Sequence, residues 1–137
     1  MKALSIRQPY AWLIVSGLKD IENRSWRTLH RGPLLIHAAA RYSRSDHAYF
    51  DNVISRDFGI RLPDFGEMQL GGIVGQVDVT DCVAEHMSRW KNPESFGFVL
   101  ANARPLPFLQ IRGRLGLFDV SFSPEAPLTV KPSVEVQ

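Results

Sequence analysis

The chain has 137 residues, 45% of them apolar and 22% charged, which excludes wholesale disorder and leaves room for one core-bearing domain with a short appendage. A formal net charge of +2, from 16 Lys and Arg against 14 Asp and Glu, excludes a histone-like polycation. One cysteine, Cys82, excludes an intramolecular disulfide framework and a cysteine-based zinc cluster.

Lys2 to Ile6 is short and partly β-branched, and Pro9 follows it, so a strand ending in a tight loop is expected. Pro9 suits the first turn of a helix that runs through Tyr10–Ser16 and stops at Gly17. No continuous apolar run opens the chain, because Arg7, Gln8 and Pro9 interrupt it, so no signal peptide is expected. The apolar stretch Ala11–Val15 is far too short for a membrane span, and a cytoplasmic protein with no membrane partner is the expectation. Ile21 to Trp26 alternates as a strand does, Gly32-Pro33 punctuates, and Leu34–Ala38 reads as a buried strand.

Ser43-Arg-Ser-Asp46 has capping-box spacing and opens a helix to about Arg56, with Tyr49, Phe50, Val53 and Ile54 on one side. Residues 59–71 read as a loop, and Gly72–Thr80 as a long alternating strand. Phe96–Leu100 and Phe108–Ile111 look like separate strands, and Leu115–Val120 like the last. Two segments follow: a domain over 1–120 and a Pro-containing tail over 121–137, with Pro124, Pro127 and Pro132 and no periodicity. The fold class expected is α+β: a curved sheet or barrel of about five or six strands with helices beside it.

Charge is unevenly distributed. Up to residue 61 ten Lys and Arg face five acids, a local excess of +5, while the remainder carries six against nine and is −3. The N-terminal part is therefore the expected anion-facing part.

Most catalytic signatures are absent: no Walker loop, no nucleophile-elbow serine, no helical histidine pair. Gly71-Gly72-Ile-Val-Gly75 lacks the dinucleotide fingerprint and reads as strand punctuation. His30, His37, His47 and His86 have no ligand spacing, and Cys82 reads as a buried apolar side chain, so neither metal nor cofactor is expected.

The dense segment is Leu4–Ala38. On a strand, Glu22, Arg24 and Trp26 share a face, and Lys19 sits in the turn before it. A cation, a carboxylate, a guanidinium and an aromatic plate can stack a base, fork onto phosphate or a base edge, and accept from an exocyclic amine. The same residues also fit an ordinary surface, with Lys19 and Glu22 paired, Arg24 snorkelling and Trp26 packed on the sheet. Spacing alone leaves both readings open.

Leu4-Ser-Ile-Arg-Gln-Pro-Tyr-Ala11, then Gly17-Leu-Lys-Asp-Ile-Glu-Asn-Arg24, then Ser25-Trp26-Arg-Thr28 and Arg31-Gly32, resemble the ASCH domain family. Its G-x-K-x-x-E-x-R motif is matched by Gly17, Lys19, Glu22 and Arg24, and Gly72–Cys82 is also similar, so the resemblance covers roughly residues 3–120. It implies a PUA-like β-barrel flanked by two or three helices, with a cleft beside the motif and RNA or modified-nucleobase recognition. Some small bacterial members hydrolyse N4-acetylcytidine and another is a ribonuclease. The amidohydrolase type carries a threonine nucleophile three residues after the lysine; here that position is Glu22, leaving Lys19 to act with Asp78 or Asp81.

The expected function is binding of RNA, a nucleotide or a modified nucleobase. Arg7, Lys19 and Arg24 would hold phosphate or base-edge acceptors, Tyr10 and Trp26 would stack, Glu22 would accept from an amino group, and Gln8 would read a base edge. The alternatives are a hydrolase, amidohydrolase or ribonuclease, with Lys19 and Glu22 as catalytic residues, and a protein-interaction module of a coactivator using Tyr10, Trp12 and Trp26. Oligomeric state is not legible.

Overall fold

A computed structural model of the protein describes residues 1–121; the rest of the Pro-containing tail lies outside the described residues. The elements are β1 (Lys2–Ile6), α1 (Tyr10–Val15), β2 (Ile21–Arg24), β3 (Gly32–Ala38), α2 (Arg44–Phe58), β4 (Gly72–Val83), β5 (Phe96–Gln110) and β6 (Leu117–Asp119), with one 3₁₀ turn at Phe65–Glu67. The strands form one six-stranded sheet in the order β2-β5-β4-β3-β1-β6. β1 and β3 run parallel and every other neighbouring pair is antiparallel. The sheet curls into a half-barrel, as the sequence led one to expect. Its ladders slip register at Ile36/His37 and three times between β4 and β5, and each such bulge adds bend and twist.

The expectation of two strands within 96–111 is corrected to one. β2 covers β5 only opposite Phe96–Val99, so beyond that point β5 pairs with β4 alone. Pro105 and Pro107 therefore lie on a stretch with one free side, where a strand tolerates a residue without an N–H. β2 ends at Arg24, short of Trp26, and α2 continues to Phe58 before Gly59 caps it in the left-handed conformation. The capping box at Ser43 and Asp46 is formed in both directions. Tyr49 is 62% exposed, and only Ile54 of the expected helix face is fully buried. Leu115 is exposed and outside β6.

Alternation sorts the core. Leu4, Ile6, Leu34 and Ile36 face α1, where Ala11, Ile14 and Val15 meet them, while Ala3 and Leu35 face the other side with Ile73 and Phe118. β3 is thus buried on both faces, which explains its unbroken apolar run. A third cluster of Leu13, Ile21, Ile54, Leu62 and Trp90 joins α1 to α2. At the rim, Met1 and Val120 bond each other both ways at 2.8 Å, tying residue 1 beside β6. No described helix is long and apolar enough to cross a membrane.

Candidate functional site

The site begins where α1 ends. Gly17, at φ +80, turns the chain so that the N–H groups of Leu18 and Lys19 both bond to Leu13 O, at 2.9 and 3.0 Å. This reversal drives Lys19 back under the helix, where it is only 5% exposed. Its Nζ donates to Ile21 O and lies 3.6 Å from Glu22 Oε1. Glu22, 7% exposed, accepts from Arg24 Nε through Oε2 at 2.9 Å. Arg24 Nη2 in turn donates to Ser5 O at 2.9 Å, so this guanidinium spans from the end strand β2 to β1, across the open side of the curled sheet.

A cleft of about 780 Å³ lies over this array. Aromatic groups wall it. Trp26, just beyond β2, packs edge-on against Phe98 with ring centres 5.3 Å apart. Facing residues Phe58 and Trp90 stack at 3.8 Å with planes 9° apart, and Arg89 lies over both rings. The Lys19 ammonium sits 5.4 Å from the Tyr10 ring centre and 5.9 Å from that of Trp90.

Burial pushes the Lys19 pKa below its ordinary value, with Glu22 pulling the other way. Burial raises the Tyr10 phenol, opposed by the nearby Arg7 guanidinium. Lys19 and Glu22 are thus buried side by side, with Arg24 bridging Glu22 to the rim of the cleft. Each also has backbone or side-chain partners, so the array is satisfied without a ligand.

Six of the seven binding residues expected from sequence line this cleft: Arg7, Tyr10, Lys19, Glu22, Arg24 and Trp26. Gln8 does not. It is 2% exposed, donates to Gln69 O and accepts from Trp12 N, both at 2.9 Å, so both ends of its amide serve the fold. Asp78 and Asp81 lie outside the cleft, Asp78 bonded by Asn102 and Asp81 paired with Arg31 at 3.7 Å.

Sequence reasoning missed the far wall: Phe58, Arg89, Trp90 and Asn92. The segment from Ser88 to Asn92 has no periodicity, yet four ties hold it to the motif, the first from Ser88 Oγ to Asp20 Oδ1 at 2.6 Å. Trp90 Nε1 donates to Leu18 O at 2.9 Å, Asn23 Nδ2 donates to Trp90 O at 2.8 Å, and Asn23 Oδ1 accepts from Asn92 N at 2.9 Å. The available signal was the run Arg89-Trp90-Lys91, an aromatic between two cations.

Comparison with known proteins agrees with the motif. Residues 4–121 match the family model described as the ASCH domain. Activating signal cointegrator 1 of Homo sapiens is 32% identical over 96 residues, 66% of this chain. That of Mus musculus is 31% identical over 113 residues, 75% of this chain. The chain spans only 16% and 19% of these relatives' own lengths. Among solved structures, a mutant ASCH protein from Zymomonas mobilis superposes with a TM-score of 0.53 over 87% of this chain and 88% of its own, at 14% identity. That likeness concerns the fold.

Proposed function

The chain belongs to the ASCH domain family, and from that premise we propose that its cleft binds a nucleobase, presented by RNA, a nucleotide or a modified base. The observation that carries this reading is the buried Lys19-Glu22-Arg24 array on the floor of an aromatic-walled cleft. A base is flat, apolar on its faces and polar at its edge. The walls offer the rings of Trp26 and Trp90 to the faces. The floor offers Lys19 and Arg24 as donors to carbonyl or ring-nitrogen acceptors, and Glu22 as an acceptor for an amino group. Arg7, exposed at the rim above Phe50, meets a phosphate.

The test is a titration of wild type and a Lys19→Ala, Arg24→Ala double variant against short single-stranded RNAs and nucleotides at low salt, with circular dichroism confirming the fold. The double variant is expected to bind at least about tenfold more weakly, given the strength of charge-assisted hydrogen bonds. Equal affinities would end the proposal.

One observation favours a second, enzymatic reading. The lowered pKa of Lys19 gives the folded protein more free amine near neutral pH than an exposed lysine has, as a general base requires. In that reading Lys19 takes a proton from the water that attacks the acyl carbon of an acylated base, whose C–N bond breaks to release the carboxylic acid and the free amino group. On RNA it takes the proton from a 2′-hydroxyl that attacks the adjacent phosphorus and expels the 5′-oxygen. Glu22 holds Lys19 in place. Incubation with N4-acetylcytidine and, separately, with RNA decides: turnover that disappears in Lys19→Ala supports catalysis, and its absence leaves binding alone.

A further inference from the structure

Beside the aromatic cleft is a second one, of about 880 Å³, and the two share Ser5, Arg24 and Ala39. Its lining is chemically different. Arg24, Arg41, Arg112 and Arg114 contribute four guanidinium groups, while no carboxylate lines it among the described residues. Arg41, Arg112 and Arg114 are exposed and form no ion pair with any described carboxylate.

The fold holds two of these arginines in place. Ile111 N donates to Gly71 O at 3.2 Å, and Ile111 O accepts from His37 Nε2 at 2.8 Å. A carbonyl only accepts, so Nε2 carries a proton, and the other ring nitrogen, Nδ1, hydrogen-bonds with the Ser5 hydroxyl at 2.9 Å. Gly113 then closes onto this pair: a Cβ there would lie 2.7 Å from His37 Cε1 and 2.9 Å from Ser5 Oγ. Arg112 and Arg114 flank the glycine on a segment seated on β1 and β3.

We infer that this second cleft is a track for the phosphodiester backbone of a single-stranded nucleic acid whose base occupies the first. This rests on the reading of the first cleft as a base site, and it makes the ligand a polymer, with the free nucleoside only a fragment of it. The two clefts meet at Arg24, so a strand with one base over Lys19 and Glu22, and that nucleotide's own phosphate at Arg7, runs its further phosphates past Arg41, Arg112 and Arg114. Guanidinium groups fork onto phosphate oxygens, and those of Arg41, Arg112 and Arg114, with no ion pair to a described carboxylate, are available to do so. The backbone contact carries affinity and salt dependence and is indifferent to base identity.

The experiment compares wild type with an Arg41→Gln, Arg112→Gln, Arg114→Gln triple variant, binding a mononucleotide and single-stranded RNAs of two, four and eight nucleotides across a salt series. Wild-type affinity is expected to rise with length. The triple variant should bind the octanucleotide at least about tenfold more weakly, with a log–log salt slope shallower by about 2, near 0.7 for each phosphate that the protein no longer neutralises. Its affinity for the mononucleotide should match wild type. Equal octanucleotide affinity and slope in the two proteins, with mononucleotide binding intact, overturns the track and leaves the base site standing. Binding of poly-glutamate as tight as the octanucleotide, with the same arginine dependence, overturns it in favour of a general polyanion surface. Failure of every ligand to bind wild type overturns both readings together.

Discussion

The two clefts meet at one arginine and differ in their floors: a buried carboxylate pairs the central cations of the first, and no carboxylate lines the second among the described residues. In the first, the buried floor pairs Lys19 and Arg24 with Glu22, the walls are aromatic, and Arg7 and Arg89 add guanidinium groups with no ion pair to a described carboxylate. In the second, Arg41, Arg112 and Arg114 form no ion pair with a described carboxylate, and the surroundings include Gly71, Gly113 and Gly116. A floor that satisfies its own charges selects by shape and hydrogen-bond pattern; one that leaves charge uncompensated attracts by field. The first is therefore suited to the informative part of a ligand and the second to its uniform part.

The first cleft is also continuous with the core, and this gives the largest expected effect. Trp90 is 7% exposed, stacked on Phe58 and bonded to Leu18 O, so Trp90→Ala should cost about 3–5 kcal/mol of stability in urea unfolding. A result under about 1 kcal/mol would show that the wall is an overlay and erase the contrast between the clefts. Gly113→Ala comes next. Its methyl must displace His37, the Ser5 hydroxyl or the 111–116 segment, at about 1–3 kcal/mol, and should weaken octanucleotide binding more than mononucleotide binding. Arg112→Gln, at the exposed second cleft, should change stability by less than about 0.5 kcal/mol.

The smallest effect is a pH response confined to the first cleft. Lys19 loses its proton below the ordinary lysine value of 10.5, because burial disfavours the ammonium. Between the lowered folded value and the unfolded one, the unfolded chain holds more protons. Lys19 therefore adds stability as pH rises through that window, the opposite of a lysine that gains a stabilising partner. Ligand affinity resting on its ammonium should fall across the same window. Titrations at constant ionic strength should show this fall in wild type and a shallower one in Lys19→Met.

Legibility in the sequence followed the physics of each element. β1, β3, α2 and the start of β4 carry periodicity, caps or glycine punctuation, and these local signals mark their places. The motif spacing brought Lys19, Glu22 and Arg24 together because a turn and one strand suffice to do so. Trp90 and Phe58 were not legible: they reach the cleft through long-range ties, Trp90 to Leu18 across 72 positions, that no local pattern records. Gln8 was misread for a related reason, since its partners are Trp12, one turn on, and Gln69, on a distant loop. Charge was the most instructive case. The linear split placed the basic excess before residue 62, yet Arg112 and Arg114 come from the net-negative remainder and join Arg41 only in the folded chain.

The hydrogen bond from Arg24 to Ser5 O joins β2, one end of the sheet, to β1, next to the other. A half-barrel left open has a seam, and here one side chain is its stitch. Both clefts open onto that stitch, and whatever lies against Arg24 completes the circumference that the strands leave unfinished.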